Sequence, residues 1–174
     1  MPISLHAAYI PSALQMLGTA QHLVVKAEAW CSETGCSEPD LIGARLIEDM
    51  LPFTYQIKSV AEHTAGAIAG VRAGRFSPAL SAPPETFAAL REKLTGAIAD
   101  LEAVTEAELE AMIGRDVMFT FKDMKIPFLA EDFLLSFSQP NYYFHAATAY
   151  DILRMRGVQV GKRDFSGKLR MKLG

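Results

Sequence analysis

Asn141 and His145 stand four residues apart in the stretch NYYFHAATAYDIL, whose apolar residues recur at helical spacing. Residues at i and i+4 project side by side from one face of a helix. With a turn of about 100° per residue, Leu134, Phe137, Asn141, Thr148 and Ile152 share a narrow sector. Phe144 and His145 sit on its two edges, and Tyr143 and Tyr150 point the opposite way. An imidazole with an ordinary pKa of about 6.5 serves as acid or base near neutrality, which makes His145 the candidate base. Asn141 and Thr148 add an amide and a hydroxyl to the same face.

Other stretches offer polar groups at matching spacing. Asp49, Gln56 and His63 lie seven apart and line one stripe, to one side of the apolar face of their helix. Gln21 and Glu28 share a stripe with Leu14, Leu17 and Val24. The candidate ligand-binding set is therefore Gln56, Asn141, His145, Thr148, Glu28 and His63. Such a set has two readings. It is either an interior pocket, as helical bundles commonly build, or a polar layer whose members satisfy one another and fix helix register. The second reading matters because a buried polar group without a partner costs about 1–3 kcal/mol. Both stay open for Asn141 and His145, whereas a structural or surface role is the default for His63 and Glu28. His6 and His22 fall outside the cluster.

Rival chemistries find less support. The sequence has no G-x-S-x-G, no glycine-rich phosphate loop and no H-E-x-x-H. Cys31 and Cys36 lack the second ligand pair of a zinc site. Neither has a basic neighbour that would activate it, so two reduced thiols with no redox role are expected.

Four long helical patterns position these residues. The first runs from about Ile10 to Cys31, with Pro11 suited to a first turn. The second runs from about Leu41 to Val71, with Pro52 predicting a kink or broken turn and Gly70 and Gly74 ending it. A proline-rich loop follows. The third runs from about Pro84 to Leu101, and a short helix is predicted over 106–112. Val117, Phe119 and Phe121 then alternate, Lys122-Asp123 suits a turn, and Ile126 and Phe128 follow, which reads as a β-hairpin. The fourth helix spans about Ala130 to Arg156, with a kink expected at Pro140 and Gly157 as its cap. The basic tail, 162–174, is expected to be extended and anchored by Phe165, or partly mobile. The fold class expected is all-α: a four-helix bundle with a small hairpin between helices 3 and 4, in one domain over 1–174.

Composition fits this reading. The chain has 174 residues, 50% of them hydrophobic and 21% charged, which supports a sizeable core. A formal net charge of −3 lacks the basic footprint of nucleic-acid binding. Apolar runs are interrupted well before spanning length, so no membrane partner is expected. The amino terminus lacks the pattern of a signal peptide, and a cytoplasmic location is the expectation. The outward Tyr143 and Tyr150 offer a homodimer interface.

The segments QPNYYFHAATAYDILRMRGVQVGKRDF, KAEAW and LIEDMLPFTYQIKSV resemble an uncharacterised bacterial domain-of-unknown-function family, itself similar to the DinB/YfiT-like superfamily of four-helix bundles. The likeness covers about Leu5 to Phe165. Many members of the superfamily hold a divalent metal with three histidines, one from the second helix and two from the fourth as His-x-x-x-His. The last of these stands eight residues before a Leu-Arg pair, which here is Leu153-Arg154, so His145 matches it. Asn141 takes the position four earlier, and Gln56 takes the second-helix position. Amide side chains are poor ligands for such metals. The resemblance therefore implies the place of a former metal site, with His145 its sole matching ligand and no cofactor expected. His63 lies seven residues from Gln56, about 10 Å along a straight helix, too far to join the same ion. The superfamily includes thiol-dependent transferases and isomerases. The resemblance thus implies a small thiol or acid as ligand, with Gln56 and Asn141 as orienting donors. A degenerate enzyme, a non-catalytic ligand-binding protein and a homodimeric structural protein all remain open.

Overall fold

The computed structural model describes residues 2–172. The first helix, α1 (Leu5–Thr34), is capped by the Ser4 hydroxyl and ends at Gly35 in the left-handed conformation, φ 74°. Pro11 sits inside it. The second pattern divides. A short α2 (Glu38–Ile42) is followed by ten non-helical residues, and α3 (Phe53–Ala61) begins directly after Pro52. Pro52 thus starts a helix rather than kinking one, because its fixed φ and missing N–H suit only a helix entrance. Asp49 consequently lies exposed in the preceding loop, off the stripe of Gln56 and His63.

Beyond α3 the chain continues through a π-helical turn, Glu62–Gly66, into α4 (Ala67–Ala73), which ends on Gly74 at φ 68°. Residues 75–86 cross the surface. Within them β1 (Arg75–Phe76) is a two-residue strand absent from the sequence reading, which treats this stretch as loop. The proline-rich part of the crossing is pinned by Lys58, which is 2% exposed and donates from Nζ to the carbonyls of Ala79 and Ser81, each at 2.7 Å. Glu62 lies 3.4 Å from the same ammonium. Burial, only partly countered by Lys58, raises the Glu62 pKa.

Next come α5 (Phe87–Glu102) and α6 (Glu106–Glu110), each capped by a threonine hydroxyl, Thr86 and Thr105. The strands β2 (Asp116–Phe121) and β3 (Met124–Leu129) form the expected antiparallel hairpin, with Phe119 opposite Ile126 and Lys122 at φ 52° in the turn. β1 adds to β2 in parallel and completes a three-stranded sheet.

The last long rod begins with α7 (Ala130–Asp132), passes through a second π-helical stretch, Phe133–Ser138, and continues as α8 (Gln139–Met155). Proline inside a helix removes one ladder bond and crowds the carbonyl four residues back. Here the departure from α geometry takes the form of a wider π stretch just before Pro140. After Gly157 the chain folds back. α9 (Lys162–Ser166) docks on α1, where Thr19 Oγ1 donates to the Phe165 carbonyl at 2.9 Å and Gln15 Nε2 to the Ser166 carbonyl at 2.6 Å. Phe165 meets Tyr150 edge to face. The anchor is the one expected, but the segment is a short helix rather than an extended chain. The last two residues of the 162–174 tail lie outside those described.

The molecule is mostly helical with one small sheet. Among the described residues no helix is long and apolar enough to cross a membrane. The core is continuous, formed by Leu17, Leu23, Phe53, Ile57, Leu90, Leu94, Phe133 and Ile152 among others. Its end nearest the sheet is aromatic: Phe76, Phe119, Phe128, Phe133 and Phe137 pack ring on ring at 4.8–6.3 Å.

Candidate functional site

The two π turns face each other, and this is what places the histidines. A π turn breaks the regular i to i−4 ladder and changes which carbonyls find partners along the helix. The hydroxyls of Tyr9 and Ser138 both reach the His63 carbonyl, Tyr9 at 2.9 Å, and lie 2.8 Å from each other, so their two protons are shared among three contacts. Tyr9 is fully buried, and burial drives its phenol pKa far upward, so it stays protonated and able to donate. The Thr64 hydroxyl returns to the Val60 carbonyl at 2.7 Å. Together these bonds tie the first π turn to the second.

On this clamp the His63 side chain, 7% exposed, lies against Phe76 (5.5 Å between ring centroids), Phe137 (5.8 Å) and His145 (5.6 Å). The two imidazoles are nearly parallel, inclined by 18°. His145 is half-buried and also meets Tyr55 and Phe144 edge to face. Its Nδ1 lies 2.7 Å from Gln56 Oε1. Gln56, 2% exposed, donates from Nε2 to the Leu51 carbonyl at 2.8 Å.

That chain of bonds fixes a proton. The Leu51 carbonyl can only accept, so the amide nitrogen of Gln56 must face it and the amide oxygen must face His145. An amide oxygen also only accepts. His145 therefore carries its proton on Nδ1, and the lone pair is on Nε2, which makes no hydrogen bond among the described residues. Burial lowers the His145 pKa to about 4. Burial, and secondarily the charge His145 would carry, lower that of His63 to about 4 as well. Both rings are thus neutral near pH 7. Nδ1 of His63 is buried and without a hydrogen-bond partner among the described residues.

The remaining candidates fall elsewhere. Asn141 is on the same face, but its Nδ2 donates to the Phe137 carbonyl at 2.7 Å, across the end of the second π stretch. Thr148 Oγ1 donates to its own helix at Phe144, 2.8 Å away. Glu28 pairs with Arg91 of α5, its side chain 43% exposed, so it stands apart from the imidazoles. Gln21 likewise bonds Thr95 on the outer surface. The role of orienting donor expected for Gln56 changes: its oxygen positions His145. His63, expected to be remote from the site of Gln56, is in ring contact with His145. The straight-helix distance from Gln56 holds along one rod, whereas His145 on α8 lies between the two and touches both. Phe137, already on the shared face of α8, completes the site together with Tyr9, Ser138 and Phe76, which the sequence reading does not single out. The one available signal was Tyr9, a tyrosine on the apolar side of α1 that would need a buried hydroxyl partner.

Two further expectations change. Tyr150 is covered by Phe165, which leaves Tyr143 as the more exposed tyrosine of α8. Cys36 does have a basic neighbour, since Arg156 Nη2 approaches its sulfur at 4.0 Å from the far end of α8.

Residues 5–166 match the domain of unknown function family DUF1993. The chain belongs to that family. None of the curated proteins matches it. Among solved structures it is similar to a DinB family member protein from Shewanella denitrificans, with a TM-score of 0.81 and 24% sequence identity over 98% of this chain and 96% of the other. At that identity the likeness speaks for the fold, and DUF1993 here has the DinB-like architecture.

Proposed function

We propose that the four long rods act as a four-helix bundle presenting a small-molecule binding site, in which the neutral His145 receives a hydrogen bond from the ligand at Nε2. The observation that supports this best is the Leu51–Gln56–His145 chain, which leaves an oriented acceptor on a half-buried ring in an otherwise apolar wall. Tyr55 and Phe144 meet the ring edge to face, and Phe144 is 56% exposed. Such a wall suits a compact ligand with an apolar body and one X–H donor, such as a thiol, a phenol or an uncharged acid.

Donor chemistry favours an organic ligand over a divalent metal. Two imidazoles alone supply fewer ligands than a zinc-type site needs. The amides of Gln56 and Asn141 are poor third ligands and already bond elsewhere. Catalysis by His145 as general base is the weaker reading, because a base with a pKa of about 4 is mismatched to neutral pH. A second reading, self-association, is favoured by the exposed aromatic side chains of α8, Phe144 (56%) and Tyr143 (38%).

Ligand-observed NMR with small thiols, phenols and carboxylic acids tests the proposal. Binders that carry an X–H group should weaken about tenfold in His145→Ala, equivalent to ~1.4 kcal/mol, and be unchanged in Glu28→Ala. Binding indifferent to His145, or none at millimolar concentration, would remove the reading. Sedimentation addresses the second reading, which a monomer at high concentration would end.

A further inference from the structure

We propose that Cys31 and Cys36 form a dithiol that exchanges with low-molecular-weight disulfides, Cys36 as the attacking sulfur and Cys31 as the one that resolves. The site lies at the carboxy-terminal end of α1 and is independent of the imidazole pair.

The geometry follows from how α1 ends. Gly35 takes the left-handed conformation, and its N–H bonds to the Cys31 carbonyl at 3.0 Å. The turn brings Cys36, just past the glycine, back toward Cys31 in the last turn of the helix, and the Cys36 N–H meets the Thr34 hydroxyl at 3.4 Å. Both sulfurs converge on one acceptor, the Ser37 carbonyl, at 3.6 Å for Cys36 and 3.9 Å for Cys31. Five residues of separation in sequence thus become two sulfurs gathered at one carbonyl, near enough for each thiol to influence the other.

The two sulfurs are not equivalent. Cys31 is buried and Cys36 is half-buried, so an external disulfide reaches Cys36 first. Burial, and then the neighbouring Cys36 thiol, push the Cys31 thiol up to about 11, which leaves the first attack to Cys36. The negative end of the α1 dipole disfavours charge on either sulfur. Arg156, with Nη2 4.0 Å from the Cys36 sulfur, offsets it and favours the negative charge that develops there during exchange.

In the first step the Cys36 sulfur, losing its proton to solvent, bonds to one sulfur of R–S–S–R, and the other leaves as R–S⁻. In the second, Cys31 loses its proton and attacks the Cys36 sulfur, and the second R–S⁻ leaves. Both released thiolates take up protons. The protein dithiol is oxidised by two electrons, and one disulfide is reduced to two thiols.

The test is incubation of the intact protein with 2-hydroxyethyl disulfide, followed by intact-mass and peptide mass spectrometry. The wild type should lose two hydrogens and yield a peptide cross-linked between Cys31 and Cys36. Cys31→Ser should instead retain one hydroxyethylthio group on Cys36, and Cys36→Ser should stay unmodified over the same interval. Arg156→Gln should slow the first step by roughly threefold to tenfold. A wild type that stays unmodified, or that keeps the mixed disulfide without closing the internal one, would overturn the proposal. So would Cys36→Ser reacting as fast as Cys31→Ser.

Discussion

The imidazoles of His63 and His145 stack 5.6 Å apart, centroid to centroid, although they come from different rods and only one of them has a hydrogen-bond partner among the described residues. Neutral rings tolerate this contact; two imidazolium ions would not. The pair therefore links the packing of two helices to pH.

The sign is fixed by the direction of the shifts. Both pKa values fall to about 4 in the folded chain, from an ordinary 6.5. Between those values the unfolded chain binds more protons than the folded one. The contribution is complete above pH 6.5 and is lost as pH falls toward 4, by up to about 1.4 kcal/mol per pH unit for each histidine. Urea unfolding at pH 7 and pH 5 should differ by roughly 2–4 kcal/mol from this pair. His145→Gln should shrink that difference, and an unaltered pH dependence would exclude the pair as its source.

Gln56→Leu should remove the Leu51–Gln56–His145 chain and leave Nδ1 of His145 without its acceptor. The expected loss is about 1–3 kcal/mol of stability. His145 should also lose its preference for carrying the proton on Nδ1, which its ring nitrogen shifts would report.

Tyr9→Phe deletes one of the two hydroxyls on the His63 carbonyl while keeping the buried ring. Because Ser138 still serves that carbonyl, the cost should stay near 1–2 kcal/mol. Amide exchange should quicken over Glu62–Gly66 first. Loosening spread evenly over the chain would show that Tyr9 is a packing residue and no clamp.

Lys58→Met should destabilise by about 3 kcal/mol or more, since it strands Glu62 and frees the carbonyls of Ala79 and Ser81. Adding Glu62→Leu should restore part of the loss. A double variant no better than the single one would place the cost in the crossing loop alone.

Much of this architecture is legible in the sequence. The alternation Val117, Phe119, Phe121 gives the hairpin, and the 3.6-residue period gives the long helices and the shared face of Asn141, Thr148 and His145. The period carries no trace of the two π turns, because an extra residue in a turn is set by where carbonyls find partners across the molecule. Tyr9 lies 54 residues before His63, and Ser138 lies 75 after it. Nor can spacing along one helix show that His145 stands between Gln56 and His63, since that is a property of how α8 crosses α3. Glu28 misleads for a similar reason: its stripe is partly apolar, yet Arg91 on α5 draws the carboxylate outward. The strand at Arg75–Phe76 is too short to alternate and is held by pairing with β2.

The most direct measurement is the long-range ¹⁵N–¹H spectrum of the His145 ring, followed from pH 8 to pH 4. The account predicts a neutral ring protonated on Nδ1, with a free lone pair on Nε2, that begins to titrate only near pH 4. A ring protonated on Nε2, or one that titrates near its ordinary value of about 6.5, would contradict the oriented acceptor on which the proposed site depends.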